Sequence, residues 1–135
     1  MKHDTLEIQF QNFDDFSKEI RGALAKKKKL VQKSHQIFFD SVESYRKFMT
    51  IQKIEILTAI AQQQPTSIYE LARLVDRNFA AVFRDCTGLE NVGFIKLVDN
   101  GDSKKSKTPV LKFDYERIRV NIPNRVFNIE IGEAA

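Results

Sequence analysis

The sequence holds one cysteine, Cys86, and two histidines, His3 and His35. A single thiol cannot close an internal disulfide, and so few thiols and imidazoles leave no ligand set for a zinc site, so neither a metal nor a cofactor is expected. Three prolines and five glycines leave no flexible linker. No apolar run approaches the roughly 20 residues that span a bilayer, and residues 1–10 alternate polar with apolar instead of building a signal-peptide core. A cytoplasmic protein without a membrane partner is expected. Gly-rich phosphate loops, nucleophile elbows and paired-histidine motifs are all missing, so no enzyme activity and no catalytic residue is expected. Asp14 with Asp15, and Asp99 with Asp102, have the positions of helix-start and turn acids rather than of a catalytic pair.

The chain has 135 residues, enough to bury one core, and its 42% apolar and 30% charged composition is that of an ordinary globular protein. Its net charge of +4 is unevenly spread. Residues 21–33 hold Arg21, Lys26, Lys27, Lys28, Lys29 and Lys33 with no acid, and residues 95–109 hold four lysines against Asp99 and Asp102. Focused basic patches suit a polyanionic partner.

Leu6, Ile8 and Phe10 alternate with polar residues and predict a strand, and Phe13, Phe16, Ile20 and Leu24 recur at helical spacing up to the lysine run. Gln36–Phe39 reads as a second strand, and Ser41 can cap a helix carrying Val42, Tyr45, Phe48 and Met49. Thr50 can cap the next helix, with an apolar stripe of Ile51, Ile54, Leu57, Ala59, Ile60 and Ala61 that ends within Gln62–Pro65. Ser67 and Glu70 have capping-box spacing before a short helix with Ile68, Leu71, Ala72 and Val75 inward. Asp76-Arg77-Asn78 is a tight turn, and Asn78 can cap a helix with Phe79, Val82, Cys86 and Leu89 on one face, stopping near Gly93. Cys86 is thereby a core thiol. Phe94–Val98 and Val110–Phe113 predict a hairpin around the polar loop Asn100–Pro109, and the alternation of Ile118, Val120 and Ile122, then of Phe127, Ile129 and Ile131, predicts further short strands.

Helix, short helix, tight turn, longer helix and basic hairpin is the order of a winged helix-turn-helix. The stretch Ser67–Leu97, SIYELARLVDRNFAAVFRDCTGLENVGFIKL, resembles winged-helix transcriptional regulators through Glu70-Leu71-Ala72, Val82, Leu89 and Gly93-Phe94-Ile95. With its flanks FFDSVESYRKFMTIQKIEILTAI and VLKFDYERIRVNIP, the whole chain is similar to a small family of archaeal and bacterial DNA-binding proteins whose members commonly sit beside a toxin-like gene. The resemblance implies an α+β fold: a winged helix-turn-helix of three helices plus a β-hairpin wing, with an N-terminal α/β extension. Residues 1–49 would be the extension, 50–123 the DNA-binding domain and 124–135 a C-terminal strand or tail.

Double-stranded DNA is the implied partner, read by a helix in the major groove with the wing on the backbone. The candidate DNA-binding residues are Ser67, Arg77, Asn78, Ala80, Ala81, Arg84, Thr87, Lys104, Lys105 and Lys107. Asn78 also serves as a cap, Arg77 just before it suits a phosphate, and Arg84 is the one long basic side chain of its helix. Ala80, Arg84, Thr87, Gly88 and Asn91 fall opposite Val82, Cys86 and Leu89, hence outward. Ala80, Ala81 and Gly88 depart from the family pattern, in which longer polar or basic residues are usual there. Alanines make no bidentate hydrogen bonds, but they admit close approach and can contact a thymine methyl.

A palindromic operator would call for a homodimer, with Phe13, Phe16, Ile20 and Leu24 as the interface. The leading expectation is a transcriptional repressor. A rival from another class is an antitoxin that neutralises a toxin-like protein through its terminal segments and also represses its own operon. An RNA-binding reading rests on the lysine run, but most phenylalanines sit at core-periodic positions and no aromatic platform for single strands is apparent.

Overall fold

The computed structural model describes residues 4–11, 13–25, 35–99 and 107–122, with the side chains of residues 13–16 and 19 outside that set. The lysine run at 26–29, Lys33 and the expected last strand around Phe127, Ile129 and Ile131 lie outside the described residues. The protein is α+β, and its described residues divide into two compact units: those up to Lys47 with those from Arg117 on, and those within Phe48–Glu116.

In the first unit, β1 (Thr5–Phe10), α1 (Phe13–Ala25) and β2 (Gln36–Phe39) make a parallel strand–helix–strand connection, and α2 (Val42–Phe48) follows. The alternation read from sequence holds, with Leu6 and Ile8 fully buried. Tyr45 of α2 meets Phe10 and Phe39 edge-on, with ring centroids 6.1 and 5.3 Å away. The third strand of this sheet is Arg117–Val120, which lies parallel to β1 on the side away from β2. The expected boundary at residue 123 is therefore corrected, since this strand belongs with the N-terminal sheet and not with the hairpin. Cross-strand chemistry accounts for it. Leu6 aligns with Ile118, while Arg119 aligns with Glu7 at 3.7 Å and Arg117 reaches Asp4 at 3.5 Å.

The second unit begins with α3 (Ile51–Gln63), capped by Thr50, whose Oγ accepts from the Lys53 amide at 3.2 Å. Its expected stripe holds in part: Leu57, Ala59 and Ile60 are buried as expected. Ile56 is fully buried beside Leu57, Ala59 and Ile60, whereas Ile51, Ile54 and Ala61 are exposed. Apolar residues surround this helix, so only the later helices and hairpin strand packed against it choose the face. The next two helices are α4 (Ile68–Leu74) and α5 (Phe79–Val92), joined by a turn in which Asp76 takes a left-handed φ of 58°. Gly93, at φ 113°, ends α5, and the Gly93 and Phe94 amides both donate to the Leu89 carbonyl.

Ser67 Oγ accepts from the Glu70 amide at 3.0 Å as expected, but the Glu70 carboxylate reaches one residue further back. It accepts from the amide and hydroxyl of Thr66 at 2.6 and 3.0 Å, and these bonds, the backbone one foremost, hold its carboxyl below the ordinary 4.5. A lowered folded pKa stabilises the fold above the unfolded value, and that contribution disappears as pH falls through the folded value. The melting-temperature gap between the parent and Glu70→Gln is therefore expected to narrow as pH drops below 4.5. A gap that stays constant down to about pH 3 would mean that the carboxylate is not the stabilising form.

The hairpin pairs β3 (Ile95–Asp99) with β4 (Lys107–Leu111) antiparallel. β4 begins three residues before the expected Val110, so Pro109 and Lys107 belong to the strand and not to the loop. The ladder explains how a proline is tolerated. Lys112 N donates to Phe94 O, which sets the phase so that the Leu97–Pro109 pair exchanges no ladder bonds. The outward Leu97 amide is capped by Glu90 Oε2 at 3.0 Å, and the Thr108 hydroxyl ties β4 to the Thr66 carbonyl at 2.7 Å. The first of these occupies an edge amide that could otherwise pair with another chain.

Candidate nucleic-acid interface

Helix α5 turns Val82, Cys86 and Leu89 into the core, each fully buried. The 100° step between residues then places Ala80, Arg84 and Asn91 on the opposite side, and all three are exposed. Thr87 lies beside them, half-buried, and its hydroxyl donates to the Phe83 carbonyl at 2.9 Å. Gly88 does not belong to this face. A Cβ there would be in ordinary contact with Phe48 and Lys53 at 3.7 and 3.8 Å, so this half-buried position lies against its own unit and the outward assignment is corrected.

Charge on α5 is strongly partitioned. Asp85 is held by Arg77 at 2.8 Å, with only 18% and 24% of the two side chains exposed, and Glu90 is held by the Leu97 amide. Arg84 is thus the charged side chain on the outward face, and no carboxylate of α5 faces the same way. This local arrangement matters because residues 48–116 contain nine lysines and arginines and nine aspartates and glutamates. The chain's net positive charge lies wholly outside the unit that carries α5.

Three aromatic rings form a partly exposed stack that the sequence reading missed. Tyr69 of α4 stacks on Phe79 at 4.1 Å between centroids, and Phe79 on Phe83 at 5.7 Å, all near-parallel. Phe83 and Tyr69 remain 44% and 51% exposed. Phe79, expected in the core, sits instead at the rim, between the buried face and Phe83. The signal that could have found the stack is the pair Phe79 and Phe83 at i, i+4, offset from the Val82, Cys86 and Leu89 line.

The remaining expected residues are scattered. Ser67 Oγ and Asn78 Oδ1 cap α4 and α5, the latter accepting from the Ala81 amide at 2.8 Å. Ala81 is half-buried on the flank of α5 and is not part of the outermost row. Arg77, expected to be free for phosphate, is committed to Asp85. Lys107 sits in β4 opposite Asp99, while Lys104 and Lys105 lie outside the described residues. On α1, Leu24 is 71% exposed and Ile20 half-buried, and the Phe13 and Phe16 side chains lie outside the described set. Burial pushes the Cys86 thiol up to about 12, so it stays protonated and unreactive at neutral pH.

Among the described residues, then, this is an α+β protein whose second unit joins two helices by a tight turn and follows them with a hairpin. The chain belongs to the HVO_A0114 family, whose model matches residues 48–120, slightly more than half of it. No curated protein matches the chain. Among solved structures, one described as "Structure of Disulfide formed AbfR" is similar over 73% of this chain and 68% of that chain, at 14% identity and a TM-score of 0.42. A score of that size does not define a common fold. No described helix is long and apolar enough to cross a membrane.

Proposed function

We propose that this protein binds double-stranded DNA as a cytoplasmic winged helix-turn-helix repressor, with no catalytic activity of its own. In this reading α5 enters the major groove and the β3–β4 hairpin is the wing, its lysine-bearing tip on the phosphates. The observation that carries it is the outward face of α5, which offers one cation and small side chains while the helix's own acids are held elsewhere. That suits a polyanion approached closely.

Salt dependence is the direct test of the wing. Replacing Lys104 and Lys105 by alanine is expected to flatten the log–log salt slope of duplex binding by about 0.9 for each phosphate no longer neutralised, on preferred and random DNA alike. Lys107→Ala, opposite Asp99, should change it little. An unchanged slope in the double variant would take the wing tip off the DNA.

The reading includes a homodimer through α1, supported by the exposure of Leu24. Light scattering at tens of micromolar should report a dimer for the parent and a monomer for Leu24→Asp, and a monomeric parent would exclude this interface. A second reading, the antitoxin that captures a toxin-like protein, is favoured by one feature of the first unit. Among the described residues β2 and Arg117–Val120 are the outer strands of their sheet, with Phe38 54% exposed on one and Val120 36% on the other. Such edges can accept a partner's strand. Co-purification with the product of the neighbouring gene tests it.

A further inference from the structure

Resting on the DNA-binding reading, we infer that this protein reads thymine methyl groups in its operator alongside any base contact of Arg84, with Phe83, Ala80 and the Thr87 methyl as the surface that meets them. In the major groove a thymine differs from every other base by its C5-methyl, which is met by apolar contact rather than by a hydrogen bond. The outward face of α5 is built for that kind of contact. Ala80 is exposed and has no polar atom in its side chain. Thr87 gives its hydroxyl proton to the Phe83 carbonyl at 2.9 Å, so it has no donor left for a base and its methyl is the group it adds to this surface. Phe83, 44% exposed, is braced by Phe79, which is itself braced by Tyr69, so its ring is held in place before any ligand arrives.

The occupant follows from charge as well as from shape. An apolar face meant for another protein's core needs no cation along it, whereas Arg84 borders these side chains next to Ala80 and the carboxylates of α5 are held by Arg77 and the Leu97 amide. A cation beside apolar contacts, with no free acid on the same helix, fits the thymine-bearing edge of a polyanionic duplex.

The test alters the DNA and leaves the protein whole. Duplexes selected by the full chain from a random library are resynthesised with deoxyuridine for thymidine, position by position, which removes only the methyl. Binding by fluorescence anisotropy should weaken about fourfold for each contacted methyl, the effect of withdrawing one buried methyl-sized group. The Phe83→Ala variant, verified as folded by circular dichroism, should bind thymine and uracil duplexes nearly equally at the position its ring covers. Selected duplexes whose affinity is unchanged by the replacement at every position would overturn this inference and leave DNA binding intact. A library that yields no enriched duplex would overturn the DNA-binding reading, and this inference with it.

Discussion

Arg84→Ala is expected to cost about 1–3 kcal/mol on the preferred duplex and far less on random DNA, with the melting temperature of the protein unchanged. Arg84 is exposed on the outward face of α5 and makes no described ion pair, so its removal leaves the fold untouched. Ala80 has no hydrogen-bonding side chain to take over, and the Thr87 hydroxyl is engaged by the backbone. Arg77→Ala should behave in the opposite way. Arg77 and Asp85 are each less than a quarter exposed, so removing the guanidinium strands a largely buried carboxylate at a cost of about 1.5–3 kcal/mol of stability. Mobility shifts on preferred and scrambled duplexes, paired with thermal melts, separate the two. If Arg84→Ala keeps its full preference for the selected site, base reading by this arginine is excluded.

The largest stability effect is expected at Phe94, just beyond the end of α5. Its side chain is fully buried and stacks on Phe48 at 6.0 Å, and its carbonyl accepts from both the Tyr115 hydroxyl and the Lys112 amide. The backbone bonds survive Phe94→Ala, but the ring is removed from the place where α5 hands over to the hairpin. Truncating a buried phenylalanine typically costs about 3–5 kcal/mol, a large share of the roughly 5–15 kcal/mol that holds a domain folded. Urea unfolding should therefore show a much lower midpoint with a similar slope. A loss below about 1 kcal/mol would mean that the ring is not packed as described.

The parts legible in the sequence were those governed by near neighbours. Thr50, Ser67 and Asn78 each cap a helix by accepting from an amide three residues on, and Gly93 ends α5 through its own backbone freedom. The start of each of these helices could therefore be read from a handful of adjacent residues. The buried line of Val82, Cys86 and Leu89 was equally readable, because spacings of four and three keep these residues on one side of a helix.

Illegible were the choices that depend on a distant partner. Ile51, Ile54, Ile56 and Ile60 have much the same side chain, and only the elements packed against α3 decide that the last two are buried. Ile118 and Arg119 spell a strand, yet nothing nearby says that the strand lies against Leu6 and Glu7. At the candidate interface, the sequence alone determined the order of helices and hairpin and the outward place of Arg84. The tertiary structure decided that Arg77 is committed to Asp85, that Gly88 lies against Phe48 and Lys53, and that Phe79 and Phe83 form an outer stack with Tyr69. The physical reason is range: caps and turns are settled within a few residues of backbone, whereas burial, ion pairing and strand register are settled only when separated segments meet.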